Sequence, residues 1–511
     1  MCNLKTLVIK GFPYYSEFGK VHLPDGLDYL PDELRYLHWG CYPLEELPSC
    51  FNPVNLVSLD LANSNIKQLW DRRKCFPKLK QLNLSYCKHL IRIPDLSDIP
   101  SAEHIDLIDC ISLLEIHSST QCPKNLELMD CKNLKKLCVT GCISLTKFPQ
   151  ISGRYLDGLF LYNCSKLEKL PPLSGLSSLT KLNLYNCYLR EIPEDIGCLS
   201  SLIMLDLGGN GFESLPKSIK ELSELRVLAL NNCGMLRSLT ELPSGLSYLE
   251  AMNCKQLIQL LPDESEFDLY ADGRRYLKLN FMNCLKLDQK AVSNVFQESV
   301  LKMQLMMTQK VSPSLPYRSV EVLEEEEEVK GGICLPGSEI PEWFRYKNIG
   351  SSINIPALGL RHDCGSNRYI MGFTVCTVIG FEENHFDFYR IDFSVHYDFH
   401  IETSDGHKEG FFHNRITLFD ESTPFEQKES IGSDHIFYRY NFSCYEFFQE
   451  LDTSMGDYVG ISFEFHIKYY GGEPVKDIQV KHCGIHPMYV QLKDSVAIDQ
   501  DTKETCEPTT S

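Results

Sequence analysis

A solenoid of short parallel strands in the α/β class, followed by a mostly-β sandwich, is the fold that the sequence predicts, on three observations. The first 284 residues repeat with a period of about 23. From Gly332 that period disappears, and short segments alternate apolar with polar residues. Between the two lies a helical pattern and then an acidic, proline-bearing connection.

Written from its first apolar position, the repeating unit reads L-x-x-L-x-L-x-x-(N/C). Units begin near Leu34, Leu56, Leu79, Ala102, Pro123, Leu134, Leu156, Leu179, Leu202, Leu225, Leu246 and Tyr276, and an earlier one fits from Leu4. This is the leucine-rich repeat. Its L-x-L core makes a short strand whose alternate residues point inward. One unit cannot bury its apolar side alone, so neighbours stack into a horseshoe with a parallel sheet on its concave face. The 11-residue step from Pro123 to Leu134 predicts a local irregularity. The 30-residue step from Leu246 to Tyr276 predicts a terminal unit with an insertion.

The ninth position of successive units is Cys87, Cys110, Cys131, Cys142, Cys164, Cys187, Asn210, Cys233, Cys254 and Cys284. It points inward beneath the turn that leaves the strand. Asparagine there bonds buried backbone groups, and cysteine packs as a small apolar group with a weak S–H donor. Metal ligation needs close C-x2-C pairs, whereas these cysteines recur singly. A buried structural ladder is therefore expected.

After the repeats, Leu287, Val292, Val295, Phe296, Val300, Met303 and Met307 share one helical stripe. They predict a helix that caps the last repeat. The stretch "VSPSLPYRSVEVLEEEEEVKGG", with its run Glu324 to Glu328, predicts an exposed linker. Beyond it, runs such as "YIMGFTVCTVIGF" and "YVGISFEFHI" predict a sandwich or jelly roll of about 160 residues. The expected division is repeats over 1–287, cap and linker over 288–330, sandwich over 331–491 and a disordered tail over 492–511.

A formal net charge of -19 argues against a phosphate-binding surface, hence against nucleic acid, and against a polybasic membrane anchor. No stretch approaches the roughly 18 to 20 apolar residues of a spanning helix. The start "MCNLKTLVIKGFPYY" has no apolar signal region, so the cytoplasm or nucleus is expected, where thiols stay reduced.

Chemistry is hard to find. No G-x-x-x-x-G-K-[ST] occurs, since Gly19-Lys20 precedes valine, and neither G-x-S-x-G nor H-E-x-x-H is present. His396 with His400, and His482 with Cys483 and His486, lack a recognised zinc spacing. A non-enzymatic chain without catalytic residues, metal or cofactor is expected.

The segment "LPDELRYLHWGCYPLEELPSCFNPVNLVSLDLANSNIKQLW" resembles the repeat region of plant TIR-type nucleotide-binding leucine-rich-repeat disease resistance proteins. "GICLPGSEIPEWFRYKNIGSSINIPAL" and "VKHCGIHPMYVQ" resemble the C-terminal jelly-roll and Ig-like (C-JID) domain that follows those repeats. Its signature stands here as Pro336, Gly337, Ile340, Pro341, Glu342, Trp343 and Phe344. Proline and glycine fix turns, and the aromatics supply apolar area.

The resemblance implies a recognition module of an immune receptor, whose protein ligand is a pathogen effector or a full-length resistance protein. It places ADP or ATP binding and NAD cleavage in family domains without a counterpart in these residues. A truncated receptor, a partial gene model and a stand-alone sensor or decoy are all compatible with that. Candidate partner-binding residues on the concave face are Tyr86, His104, Asp106, Phe160, Tyr162, Lys181, Asn183, Tyr185 and Asn186. The alternatives are an intracellular repeat scaffold outside immunity and a jelly-roll enzyme or metal-binding protein.

Overall fold

A computed structural model describes residues 4–10, 21–70, 74–117, 133–149, 155–260 (without 168, 171, 240 and 241), 278–293 (without 289 and 291), 332–356, 368–381, 393–403, 408–416, 433–441, 458–469, 475 and 478–491.

The repeats supply β1 (Thr6–Ile9), β2 (Tyr36–Trp39), β3 (Ser58–Asp60), β4 (Gln81–Asn83), β5 (His104–Asp106), β6 (Lys136–Cys138) and β7 (Gly158–Phe160). They continue with β8 (Lys181–Asn183), β9 (Met204–Asp206), β10 (Val227–Ala229), β11 (Ser238–Leu239), β12 (Tyr248–Glu250), β13 (Gln259–Leu260) and β14 (Lys278–Asn280). All but β11 and β13, which pair with each other, join one parallel sheet. The register aligns the middle residue of each strand, so Leu182 lies between Leu159 and Leu205. These middle leucines are buried in one continuous core, as the period-2 reading requires.

The connecting halves are tighter than the α/β class suggests. Among the described residues they hold 3-10 turns, at Pro53–Asn55, Leu96–Asp98, Glu194–Cys198 and Lys217–Glu221. Pro193 and Pro216 stand as N-caps of the last two. Units of about 23 residues leave few positions on the convex side, too few for a stable α-helix.

The half-length unit behaves differently from the expectation. β5 pairs directly with β6, Ile105 opposite Leu137, so the unit near Pro123 adds no strand between them. Residues 118–132, Cys131 among them, lie outside the described residues. The thiol ladder likewise passes from Cys110 to Cys142, whose Sγ donates to the Leu107 carbonyl (3.1 Å).

The second domain contains β15 (Gly332–Pro336), β16 (Tyr346–Ile349), β17 (Ser352–Pro356), β18 (Arg368–Phe381), β19 (Phe393–Thr403), β20 (Lys408–Ile416), β21 (His435–Asn441), β22 (Tyr458–Tyr469) and β23 (Ile478–Gln491). One sheet runs β15–β21–β18–β23–β16 and the other β17–β22–β19–β20. Phe373, Phe399 and Phe463 pack between them, with Phe463 meeting Phe373 edge-on (5.2 Å) and Phe399 face-on (5.6 Å).

The two domains share a sheet. β15 pairs parallel with β14, Ile333 opposite Leu279, and antiparallel with β21. The first sandwich strand thus takes the solenoid's last sheet edge, and Leu287 and Val292 of the expected capping helix are buried in the solenoid core. That helix is described only at its start: Lys290, Val292 and Ser293 are helical, and Val292 N–H donates to the Asp288 carbonyl (3.0 Å). Its remainder, the acidic linker and the tail lie outside the described residues.

Candidate protein-binding surfaces

The ladder fixes what the concave surface stands on. Each Sγ donates to a carbonyl one repeat earlier: Cys87 to Leu61 (3.2 Å), Cys110 to Leu84 (3.1 Å), Cys164 to Val139 (3.2 Å) and Cys187 to Leu161 (3.0 Å). Cys233, Cys254 and Cys284 continue the series onto Leu207, Leu230 and Ala251. Asn210 does more, donating to Leu184, Leu207 and Gly208 carbonyls and accepting from Leu189 N–H. Burial pushes the Cys87 and Cys187 thiols up to about 12, which removes the reactive thiolate at neutral pH.

The residue before each rung is held in the left-handed region. Asn163, Asn186, Asn232, Asn253 and Asn283 have φ from 54° to 62°, and Tyr86 (63°) and Asp109 (53°) occupy the same turn. Asparagine tolerates this conformation better than other side-chain-bearing residues, which explains the recurring "NC" dipeptide. Asn186 therefore serves the turn, and its amide donates to the Asn163 side chain (2.6 Å). Tyr86 is 44% exposed but projects from that turn, after its strand has ended.

On the strands themselves, Asn183 accepts from Tyr185 N–H (2.9 Å) and donates to Asp206 (3.1 Å). Tyr185 is only 7% exposed. Its ring stacks on Tyr162 (5.2 Å) and crosses Gly208, where a Cβ would stand 2.7 Å away. Its hydroxyl accepts from Asn232 (3.1 Å). Phe160 lies over Gly158 in the same manner, with Lys136 Nζ 5.8 Å above the ring. Lys136 also approaches Asp106 (3.7 Å), while His104 and Lys181 stay accessible.

The structure adds Met204, 41% exposed and opposite Lys181 in the register, and Ile203, 44% exposed just before that strand. Met204 was legible as an apolar residue at a strand position next to the inward Leu205. Towards the last repeats the concave face closes into a buried polar cluster. Lys278 approaches Glu250 (3.7 Å), bonds Tyr248 Oη (2.8 Å) and lies over that ring (4.3 Å). Asn231 donates to Glu250 (2.8 Å), and the Tyr248 hydroxyl donates to the same carboxylate. Burial, reinforced by Glu250, raises Asp206 to about 6 against the bonds it accepts from Gly208 N–H and Asn183.

At the seam, His435 is fully buried. Its Nε2 accepts from Asn283 N–H (2.8 Å), and Nδ1–H donates to the Ser433 carbonyl (2.9 Å). This fixes one neutral tautomer, and burial depresses the pKa to about 4.

The signature residues form the crossover from β15 to β16, across the face of the intervening strands. Gly337 N–H donates to the Asp434 carbonyl (3.0 Å), and a Cβ on Gly337 would meet Ile436 at 2.6 Å. Phe344 is buried against Trp343 (4.2 Å), and Trp343 meets His486 edge-on (5.2 Å). Ile340 and Phe344 sit on Gly484, where a Cβ would lie 2.6 Å from Ile340. Phe344 N–H bonds the Pro341 carbonyl (3.1 Å), while Glu342 faces solvent.

Among the described residues, no group of three histidine, cysteine or acidic side chains is arranged to hold a metal. His396 bonds Ser394 Oγ (2.7 Å), burial lowers His486, and burial pushes Cys483 up to about 12. No helix among them is long and apolar enough to cross a membrane.

A leucine-rich-repeat solenoid with a β-sandwich on its last strand is the class these observations define. Residues 335–494 match the family model described as C-JID domain. The chain is homologous over most of its length to TIR-NBS-LRR disease resistance proteins. It is 28% identical to disease resistance protein RPS4B of Arabidopsis thaliana over 93% of this chain and 42% of that protein. With disease resistance protein LAZ5 of the same plant it shares 32% over 96% of this chain and 45% of the relative. It thus spans somewhat less than half the length of these relatives. Among solved structures, the Leptospira interrogans repeat protein LIC12759 is similar at 21% identity, with a TM-score of 0.26, over 54% of this chain and 80% of that one.

Proposed function

We propose that this chain is the protein-recognition part of a plant intracellular immune receptor. It binds a pathogen effector or a full-length resistance protein through the concave sheet together with the C-JID domain. The observation that supports this most is the pair of outward apolar side chains on nearby concave strands, the half-buried Phe160 on β7 and the exposed Met204 on β9. They lie beside hydrogen-bonded or ion-paired polar groups of the same sheet, such as Asn183 and Lys136, while Val8 and Tyr36 are further exposed apolar residues on its first strands. Exposed aromatic and thioether groups on a rigid sheet are the usual anchors of protein interfaces. The glycine beneath Phe160 flattens the surface that a partner would meet.

Such binding needs no catalytic group, metal or cofactor. In this reading ADP or ATP belongs to the family's nucleotide-binding domain. The chain acts in the cytoplasm, or in cytoplasm and nucleus, where its thiols remain reduced.

The test is a double substitution, Phe160→Glu with Met204→Asp. Proximity labelling in pathogen-challenged leaf tissue would nominate partners, which are then measured against the purified proteins. A true partner loses about tenfold or more in affinity, since each anchor contributes about 1 kcal/mol or more. Equal binding by the double variant and the wild type would remove the concave patch from the proposal.

A further inference from the structure

We infer that the middle of the concave sheet takes an amphipathic helix of the partner, laid across the strands, with acidic and apolar residues alternating turn by turn. This deepens the reading of the chain as a protein-recognition module and rests on it.

The parallel register brings one residue from each strand into a row across the sheet. From β5 to β9 that row reads His104, Lys136, Gly158, Lys181 and Met204. Gly158 leaves no gap in it. The Phe160 ring folds back over this glycine, where a Cβ would stand 2.7 Å from the ring, and so fills the place between the two lysines. From Lys136 onward the row therefore alternates cation, aromatic ring, cation and thioether. Both lysines are exposed, Met204 is 41% exposed and Phe160 is half-buried, so a partner can reach all four.

The protein does not neutralise this row by itself. Lys181 has no ion pair among the described residues. Lys136 approaches Asp106 only to 3.7 Å, beyond hydrogen-bond length, and stands 5.8 Å from the Phe160 ring. Other carboxylates nearby are already engaged. Glu103 holds both Lys80 (2.9 Å) and Lys135 (2.7 Å). Asp157 accepts from the Thr180 hydroxyl, and Asp206 accepts from Gly208 N–H and Asn183. In a chain of net charge -19, two accessible ammonium groups astride a ring make a local seat for carboxylates.

Spacing selects the form of the occupant. Adjacent strands lie about 4.8 Å apart, so the lysines are separated by about 9.6 Å with the ring midway. An extended segment repeats its side chains on one face about every 6.8 Å, out of step with the strands. A helix across the strands advances about 5.4 Å per turn and offers roughly one residue to each strand. Acidic residues two turns apart then meet Lys136 and Lys181 with a mismatch of about 1 Å, which flexible lysine side chains absorb. The apolar residue between them meets Phe160, and another one turn beyond meets Met204.

The probe is a fluorescein-labelled, alanine-based helical peptide with glutamates two turns apart and a leucine one turn after each, titrated by anisotropy against the full chain. A control peptide of the same composition has one glutamate moved to the opposite face. Docking predicts saturable binding of the first peptide, at least about fivefold tighter than the control, that weakens as salt rises. Lys136→Glu/Lys181→Glu should weaken it by about tenfold or more, and should bind instead a peptide with lysines in place of the glutamates. Binding of that lysine peptide also shows that the variant is folded. No saturable binding, equal binding of peptide and control, or a charge-reversed variant that still prefers glutamates would overturn the proposal. A natural partner weakened by Phe160→Glu/Met204→Asp but indifferent to Lys136→Glu/Lys181→Glu would sink the acidic helix alone. A partner indifferent to both would remove the concave face as its site, and with it both readings.

Discussion

Lowering the pH should loosen the seam between solenoid and sandwich through one residue, His435. Its neutral ring is the acceptor for Asn283 N–H and the donor to the Ser433 carbonyl. The other groups around it are the edge of Phe381 (5.7 Å) and the neighbouring Asp434, whose carboxylate is held by Lys481. A proton on Nε2 destroys the acceptor and sets two N–H groups against each other in a buried place. The folded pKa of about 4, against 6.5 for a free histidine, states the same cost. Above pH 6.5 both folded and unfolded chains hold a neutral ring, and its full contribution is present. Between 6.5 and 4 the unfolded chain takes up the proton first, so stability falls with pH. The whole shift corresponds to about 3 kcal/mol, of which about 2 is lost by pH 5. Carboxylates titrate in part of the same range, so the measurement is a difference. Amide exchange at Asn283 is followed at pH 7.5 and pH 5 in wild type and in His435→Gln, which can donate and accept without titrating. Wild type should lose protection by an amount that the variant does not. Identical pH dependence in the two proteins would refute the argument.

Four further outcomes follow from the geometry. Asn210→Ala leaves the Leu184 carbonyl and the Leu189 N–H without this partner, while Leu207 keeps the Cys233 thiol and Gly208 keeps Asn186 N–H, and should cost about 2–4 kcal/mol in a urea titration. Cys187→Ala, which removes one principal bond, should cost about 1 kcal/mol, and equal costs would contradict the different roles of the two rungs. A thiol reagent at neutral pH should label the exposed Cys50, Cys75 and Cys198 at once and Cys187 only on unfolding; rapid labelling of Cys187 would contradict its burial. Gly484→Ala places a methyl 2.6 Å from Ile340 and should destabilise the sandwich by about 1–3 kcal/mol, read as a lower unfolding midpoint with changed Trp343 fluorescence.

What the sequence made legible was whatever repeats. A leucine every two or three positions, renewed about every 23 residues, can be read because each turn buries the same side against its neighbour. The ladder was legible for the same reason, but its partner residue was misjudged. Asn186 stands beside Cys187 and reads as a surface amide, whereas the left-handed turn is what requires it. The signal was present, since asparagine precedes the rung at five positions, and only the backbone shows why.

The site was harder to read, because partner specificity depends on which outward residues remain uncovered once the chain has closed. Tyr185 and Met204 both occupy positions outside the inward leucine row, and no local rule separates them. Gly208 and Asn232, from the next two repeats, draw Tyr185 down, while Met204 has no such neighbours among the described residues and stays exposed. The seam has the same character. Gly332 pairs with Lys278 across 54 residues of chain, and His435 meets Asn283 across 152. Pairings at such separations are decided by whole faces meeting, here the open edge of β14 and an apolar first strand of the sandwich. A repeat protein exposes core at its last turn unless something covers it. Among the described residues a strand of the next domain covers that edge, so the concave sheet and the sandwich are joined by continuous backbone hydrogen bonding. A partner that engages both surfaces would gain from that rigidity, since the two sites arrive already oriented.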